Sequence, residues 1–473
     1  MDTKKYVPSV TVGLGAFIAT FDVTAVSLLL PAMGQTYQLD MTGNIWVMDA
    51  YSLAFTIVLI AAGAISDKYG QRLSMVLGAS VFLLSSIVCA VAPNFAVLVI
   101  GRAAQGSGAA FVVCAGLAWA GRVYSDKAER AQAFAVIGTI SGSALAIGPG
   151  LGGFIAATFG WKWVFLMNVP ICIFIIGGAI RAMSEVRGGD RPPLDYAGAA
   201  IVSLLLLALT GALLNRSNNE VVSTRTAAFV LIIVALGALL AFVERRVEHP
   251  VVDFSLFRSR TFLGLAVVPA SLAVSYWSLI VFIPEFLQSG MGLSTDRVAV
   301  MMLFFTMPMF VVPFLVAKIA AKTQQSAYYG VGLFVVTLGC LAMTVGVQVS
   351  SDAVVVAGMV IGGVGAATIQ SQVSGALIVS APAARAGAAS ALLMILRQGG
   401  FAISIAFLSS VVQGRVVVAE FVVEGFALIC LVCTVVAAGG ATATFLLIRA
   451  DETLRRKLGG GCEAISDRNE RGG

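Results

Sequence analysis

Apolar residues run through this chain in long unbroken blocks, not in alternation and not as one-sided stripes. A helix needs about 20 apolar residues to cross a bilayer. Blocks of that size lie near 8–33, 44–66, 73–92, 95–121, 131–158, 162–183, 195–215, 225–244, 261–288, 298–319, 326–349, 352–380, 386–412 and 421–448. Fourteen membrane helices are predicted. A barrel is excluded, because its strands would alternate apolar and polar residues, and a lipid-exposed segment must satisfy its own backbone. The connecting loops are short. The longest on the side of the chain ends, 184–194 and 245–260, divide the pattern into six, two and six spans. The expected organisation is therefore a first six-helix bundle over 1–190, two extra helices with their linkers over 191–250, a second six-helix bundle over 251–448, and a tail over 449–473. That tail is polar and Gly-rich and is expected to be irregular.

Composition agrees. The 473 residues are 59% hydrophobic and 11% charged, against about 25% charged in soluble domains. The net charge of +6 reflects topology. Lys162, Arg216, Arg225, Arg297 and Arg415 fall on one side, Arg102 and Arg397 fall within spans, and the other lysines and arginines fall on the side of the chain ends. By the positive-inside rule both ends are cytoplasmic, which requires an even number of spans. No nucleic-acid partner is implied, and no cleavable signal peptide is evident. The cysteines are scattered; Cys430 and Cys433 form a CxxC inside an apolar block, where they read as small apolar filler. His249 is the one histidine. A metal site is not expected, nor is a cofactor. No nucleophile–base pair or phosphate-binding loop suggests an enzyme or an ATP-driven pump.

Two carboxylates interrupt the first two blocks: Asp22 and Asp49. Each costs about 2.5–3.5 kcal/mol at membrane depth on insertion scales, so each is a candidate functional group. Carboxyls held out of water can exchange protons during a cycle. Asp49 is expected to be the leading cation and proton site. Asp22 is expected to be a proton site or the structural partner of a group on helix 4 or 5. Glu285, beside Pro284 in the ninth block, reads either as a wet interface residue or as a third cation-attracting carboxylate. Arg102 and Gln105, three apart, share one helix face. They read as coupling residues, or Arg102 as a structural arginine on backbone carbonyls. Phe17, Phe21, Trp46, Tyr51, Phe55 and Tyr276 are candidates for an aromatic cation cavity or for plain packing.

Several stretches carry a resemblance. Gly63-Ala-Ile-Ser-Asp67-Lys68-Tyr-Gly70-Gln-Arg72 resembles the cytoplasmic loop signature of the major facilitator superfamily. Arg102-Ala-Ala-Gln105-Gly106-Ser-Gly108 resembles its fourth-helix motif. Gly148-Pro149-Gly150-Leu-Gly152-Gly153 resembles the antiporter motif of its drug exporters. The stretch from Asp22 to Pro31, the stretch from Trp161 to Pro170, and Arg397-Gln398-Gly399-Gly400 resemble the fourteen-span drug:proton antiporters. So does the loop from Glu244 to Arg258, while Asp49 matches the quaternary-ammonium-type pumps. The first helix departs from that subfamily's pattern at Phe21 and Ser27.

The resemblance implies a major facilitator fold: an all-α membrane protein with 14 transmembrane helices, built as two six-helix bundles plus two extra helices at the periphery. It implies a proton-coupled antiporter of the cytoplasmic membrane that exports lipophilic, often cationic, drugs. It implies that the loop motif latches the two halves and that the antiporter motif favours exchange. The alternative is a dedicated exporter of one metabolite: a siderophore, a self-made antibiotic or a lipid. Protons are the coupling ion. The expected partners are small lipophilic or cationic substrates and membrane lipids, around a monomer with no indicated periplasmic adaptor.

Overall fold

The computed structural model describes residues 7–39, 41–124, 127–186, 195–214, 224–247, 252–320, 323–382, 385–412 and 419–470. His249 and part of the loop after the extra helices lie outside them.

The apolar blocks fold as helices, because in hydrocarbon a helix pairs its own backbone groups. The first half comprises α1 (Val7–Tyr37), α2 (Met41–Tyr69), α3 (Gln71–Val91), α4 (Phe95–Val123), α5 (Lys127–Phe159) and α6 (Lys162–Ala182). Two helices follow, α7 (Tyr196–Leu214) and α8 (Thr224–Glu244). The second half comprises α9 (Arg260–Gly290) and α10, in two parts, Thr295–Thr306 and Pro308–Ala320. It continues with α11 (Gln325–Gln348), α12 (Asp352–Ser380), α13 (Ala386–Met394, a π-turn at Ile395–Gly399, then Gly400–Val412) and α14 (Ala419–Glu470). Among the described residues eleven helices are long and apolar enough to cross a membrane, or up to 12 with α2. α2 bends by 47° between Leu59 and Ala61. α7 and α8 contribute shorter apolar stretches, Ala197–Leu213 and Ala228–Glu244. The fourteen predicted spans are compatible with this set.

The packing repeats. In the first half α1 packs on α4, α5 and α6, α2 on α4, and α3 on α4 and α6. In the second, α9 packs on α12, α13 and α14, α10 on α12, and α11 on α12 and α14. Each helix of the first half thus has a counterpart six helices later, once α7 and α8 are set aside. The halves meet along three seams: α1 with α9, α5 with α10, and α2 with α13. The last two are equivalent under the same repeat.

Small residues set these distances. A Cβ at Gly106 of α4 would lie 2.1 Å from the carbonyl oxygen of Tyr51 on α2. Small residues allow such close helix approach in membranes.

Two expectations change. The extra helices are not both peripheral: α7 packs on α2 and on α13, one helix from each half. Its residues Ile201, Val202, Leu206 and Thr210 are buried. α8 is the outer one, exposing Leu231 and Val234. The tail is not irregular throughout, because α14 runs on to Glu470. Its continuation Asp-Glu-Thr-Leu-Arg-Arg-Lys-Leu is rich in helix formers.

Candidate functional site

The loop motif between α2 and α3 folds into a clasp within the first half. Asp67 at the end of α2 pairs with Arg122 of α4 at 2.8 Å. Gly70 has φ +114, a conformation a side chain resists, and a Cβ there would strike the Glu185 carboxylate. Glu185, just past α6, accepts the Arg72 backbone N–H at 3.1 Å and lies 3.5 Å from the Arg72 guanidinium. It thereby sits at the positive N-terminus of α3. The second half repeats the device: Glu452 on α14 accepts the Ser326 N–H at 3.3 Å and its hydroxyl at 2.6 Å, at the start of α11. Lys68 is exposed over the Tyr69 ring. Gly63 faces Cys114 of α4. The partners named here for Asp67, Gly70 and Arg72 lie in the first half and clasp its own helices together.

The antiporter motif makes α5 thin on two sides. A Cβ at Gly148 would lie 2.1 Å from the Thr24 hydroxyl, and one at Gly152 2.7 Å from the Ala25 Cβ, both on α1. A Cβ at Gly153 would lie 2.4 Å from the Ala299 Cβ on α10 and 2.8 Å from Leu28. Pro149 is buried within α5. On the same side of the membrane, Gln288 of α9 donates to the Leu28 carbonyl at 2.9 Å. These contacts close the seams in the part of the bundle remote from the chain ends.

At mid-depth α4 presents Arg102 and Gln105 together, as their spacing requires. Both are fully buried. The Arg102 guanidinium forms an ion pair with Asp22 of α1. It also donates to the Val47 carbonyl of α2 at 3.0 Å and to the Gln105 side-chain oxygen at 2.8 Å. Its carbon lies 4.7 Å from the centre of the Tyr51 ring, a cation–π contact. Gln105 donates onward to the Ser86 hydroxyl at 2.8 Å, and Ser86 to the Phe82 carbonyl at 2.7 Å. Asn168 of α6 donates to the other Asp22 oxygen at 3.4 Å. Asp22 is thus the partner of a helix 4 group, one of the two roles expected of it. The roles of Ser86 and the Val47 carbonyl were not legible in the sequence, since a serine and a backbone group carry no pattern.

Asp49 is different. It is fully buried, and neither carboxylate oxygen meets a hydrogen-bond donor among the described residues. Ser52, three residues on and on the same face, is also buried with its hydroxyl unpartnered. With about 100° per residue, this face is turned well away from Val47 and Tyr51, which serve the Arg102 cluster. α2 packs on α7 and α13. On α7, Thr210 is buried and its hydroxyl too has no partner among the described residues.

Glu285 is partly accessible and accepts from the Ser289 hydroxyl at 3.1 Å. Asp22, Asp49 and Glu285 therefore do not share one hydrogen-bond network. The aromatic candidates are mostly packed: Phe21, Tyr51 and Tyr276 are fully buried, and Tyr276 stacks on Phe305 at 4.5 Å between centres. Cys340, Cys430 and Cys433 are free and buried, and among the described residues no cluster could hold a metal.

Comparison with known proteins places these residues in a family. Residues 12–405 match the Major Facilitator Superfamily. The chain is 27% identical over 411 residues to "Multidrug resistance protein Stp" of Mycobacterium tuberculosis, covering 87% of this chain and 76% of that protein. It is 31% identical over 423 residues to "Probable actinorhodin transporter" of Streptomyces coelicolor, covering 85% and 71%. It is 26% identical to "Multidrug efflux pump LfrA" of Mycolicibacterium smegmatis, covering 82% and 77%. Among solved structures, a peptide transporter in complex with sulfate shares the fold at TM-score 0.70 and 15% identity, covering 93% of this chain and 95% of that one.

Proposed function

The chain belongs to the major facilitator superfamily, and on that premise we propose that this multi-pass membrane protein is a proton-coupled antiporter exporting lipophilic, often cationic, compounds. Relatives named multidrug resistance and efflux proteins support the export of drugs. The single observation that carries the coupling is Asp49: a carboxyl group at membrane depth, fully buried, with no hydrogen-bond partner among the described residues. Asp22 is already spent on Arg102. A buried lone carboxylate is costly, and either a proton or a cationic cargo relieves that cost. The two compete for one site, which is the condition for exchange.

The cycle runs as follows. With the seams closed on the side remote from the chain ends, deprotonated Asp49 takes a cation from the cytoplasm. After the halves rock, a proton from outside displaces it. Each net charge moved gains about 2.3 kcal/mol per 100 mV. Arg102 and Gln105 tie α1, α2 and α4 into one body, so that occupancy of α2 reaches the whole first half. The glycines of α5 provide the smooth surface on which α10 moves. Both chain ends are cytoplasmic in this reading, and the protein works as a monomer.

The test is a susceptibility panel on a pump-deficient host, wild type against Asp49→Asn. Expression of wild type should raise resistance to lipophilic cations, and the variant should not. Equal resistance from both would remove Asp49 from the mechanism. The relative named as an actinorhodin transporter favours a second reading, a dedicated exporter of one product. A panel showing no resistance, with a single endogenous compound retained in cells lacking the protein, would select it.

A further inference from the structure

A second unspent charge lies at membrane depth, and it is positive. Arg397 sits in the π-turn of α13, where the Gly400 N–H reaches back to the Ile395 carbonyl. It lies 11 residues past the start of that helix at Ala386, about 16 Å at 1.5 Å per residue, hence near the middle of a core about 30 Å thick. The residue is surrounded by protein yet remains partly accessible. Its guanidinium makes no hydrogen bond, ion pair or ring contact among the described residues. Arg102 shows the contrast: an arginine that serves architecture in this protein has a carboxylate, an amide, a carbonyl and an aromatic face around it.

The surroundings narrow what Arg397 faces. The π-turn packs on α2, the helix of Asp49 and Ser52. Two residues on, a Cβ at Gly399 would lie 3.0 Å from both methyls of Leu206, so α7 covers the turn on that side. One helix away, Gln370 of α12 lies ten residues before the end of its helix, at a comparable depth, and its buried side-chain oxygen has no partner among the described residues. Such a buried arginine is as costly as a buried aspartate. Its planar fork of N–H donors matches a carboxylate or phosphate in bidentate fashion.

We propose that Arg397 is an anion-recognising residue of the transport path, so that the cargo includes lipophilic compounds bearing a carboxylate, phenolate or phosphate. With Asp49 on α2 and Arg397 on α13, each half brings one free charge of opposite sign to the same seam. A molecule carrying both signs can engage the two halves at once. The proposal deepens the export reading and rests on it for the direction of movement; the binding itself stands apart from it.

The experiment measures binding to purified full-length protein in detergent by fluorescence polarisation. The probes are pyrenebutyrate, a lipophilic carboxylate, pyrenebutanol, its neutral counterpart, and ethidium, a lipophilic cation. Wild type should prefer the acid over the alcohol by about tenfold or more, the worth of one charge-assisted hydrogen bond. Arg397→Gln should lose that preference while ethidium binding stays within about twofold, and Arg397→Lys should retain part of it. Equal affinity of wild type for acid and alcohol overturns the proposal without any variant. An acid preference that survives Arg397→Gln overturns it as well. Ethidium reports folding, so loss of all three probes in Arg397→Gln together with full acid preference in a folded Arg397→Met would also overturn it. Acid binding intact in a protein that exports nothing sinks the export reading and leaves this site standing.

Discussion

Asp22 on α1 and Arg102 on α4 form a fully buried ion pair, while Asp49 on α2 has no partner among the described residues. The two aspartates look alike in the sequence, each alone in an apolar block. Their surroundings give them different work. Asp22 compensates an arginine and fixes three helices against one another. Asp49 carries a carboxyl group that no described residue pairs.

Removing one member of the buried pair should destabilise the protein more than removing both. Arg102→Met leaves Asp22 uncompensated, a cost of about 3–5 kcal/mol. The double variant Asp22→Asn/Arg102→Met should recover much of that loss. Thermal unfolding of the purified variants, followed by size-exclusion chromatography, measures it. A double variant as unstable as Arg102→Met alone would show that Arg102 acts through Val47 and Gln105 and not through Asp22.

Asp49→Asn should uncouple cargo from protons. Adding ethidium to detergent-purified wild type should release protons into a weakly buffered medium, and the variant should release fewer. Asp49→Glu should keep part of the response, since it retains an ionisable group. Equal release from wild type and Asp49→Asn would transfer the role to Asp22 or Glu285.

Gly153→Leu should block the movement of α5 against α10. The added side chain would enter space held by Ala299 and Leu28, and overpacking costs about 1–3 kcal/mol. That is enough to disfavour the closed outer seam without unfolding the helix. Export should fall to background while the protein remains in the membrane by immunoblot. Gly138→Ala is the control, because a Cβ there meets nothing within 4 Å. Unchanged export by Gly153→Leu would make the outer α5–α10 contact dispensable.

A reporter fused after Arg449 should be active only in a form that works in the cytoplasm. The prediction follows from the lysine and arginine asymmetry. Periplasmic activity would invert the topology and, with it, the direction assigned to transport.

Much of this protein was written along the chain. Block length and continuity gave the helices, because a bilayer admits few backbone solutions. Loop charges led to the expectation that both ends are cytoplasmic. Asp22, Asp49 and Arg102 stood out because an ionisable residue in an apolar block is costly enough to need a reason; Arg397 stood out only by lying within a span and in a stretch of family resemblance. The Gly148–Gly153 stretch of α5 stood out only through its resemblance to a motif, and the structure shows where Gly148, Gly152 and Gly153 meet α1 and α10. What the chain could not state is who meets whom. Arg102 finds Asp22 across 80 positions, and only packed helices decide that the one aspartate is compensated and the other left bare. The place of α7 in the seam between α2 and α13 was equally hidden, since its block is apolar on every side and hydropathy does not distinguish a face that meets lipid from one that meets protein. Glu185 lies just past α6 and Glu452 within α14, and only the packing that brings each to a helix N-terminus gives it a partner. Local sequence fixes local structure because backbone pairing in a membrane is local; partnership between side chains depends on distance in space, and that belongs to the fold alone.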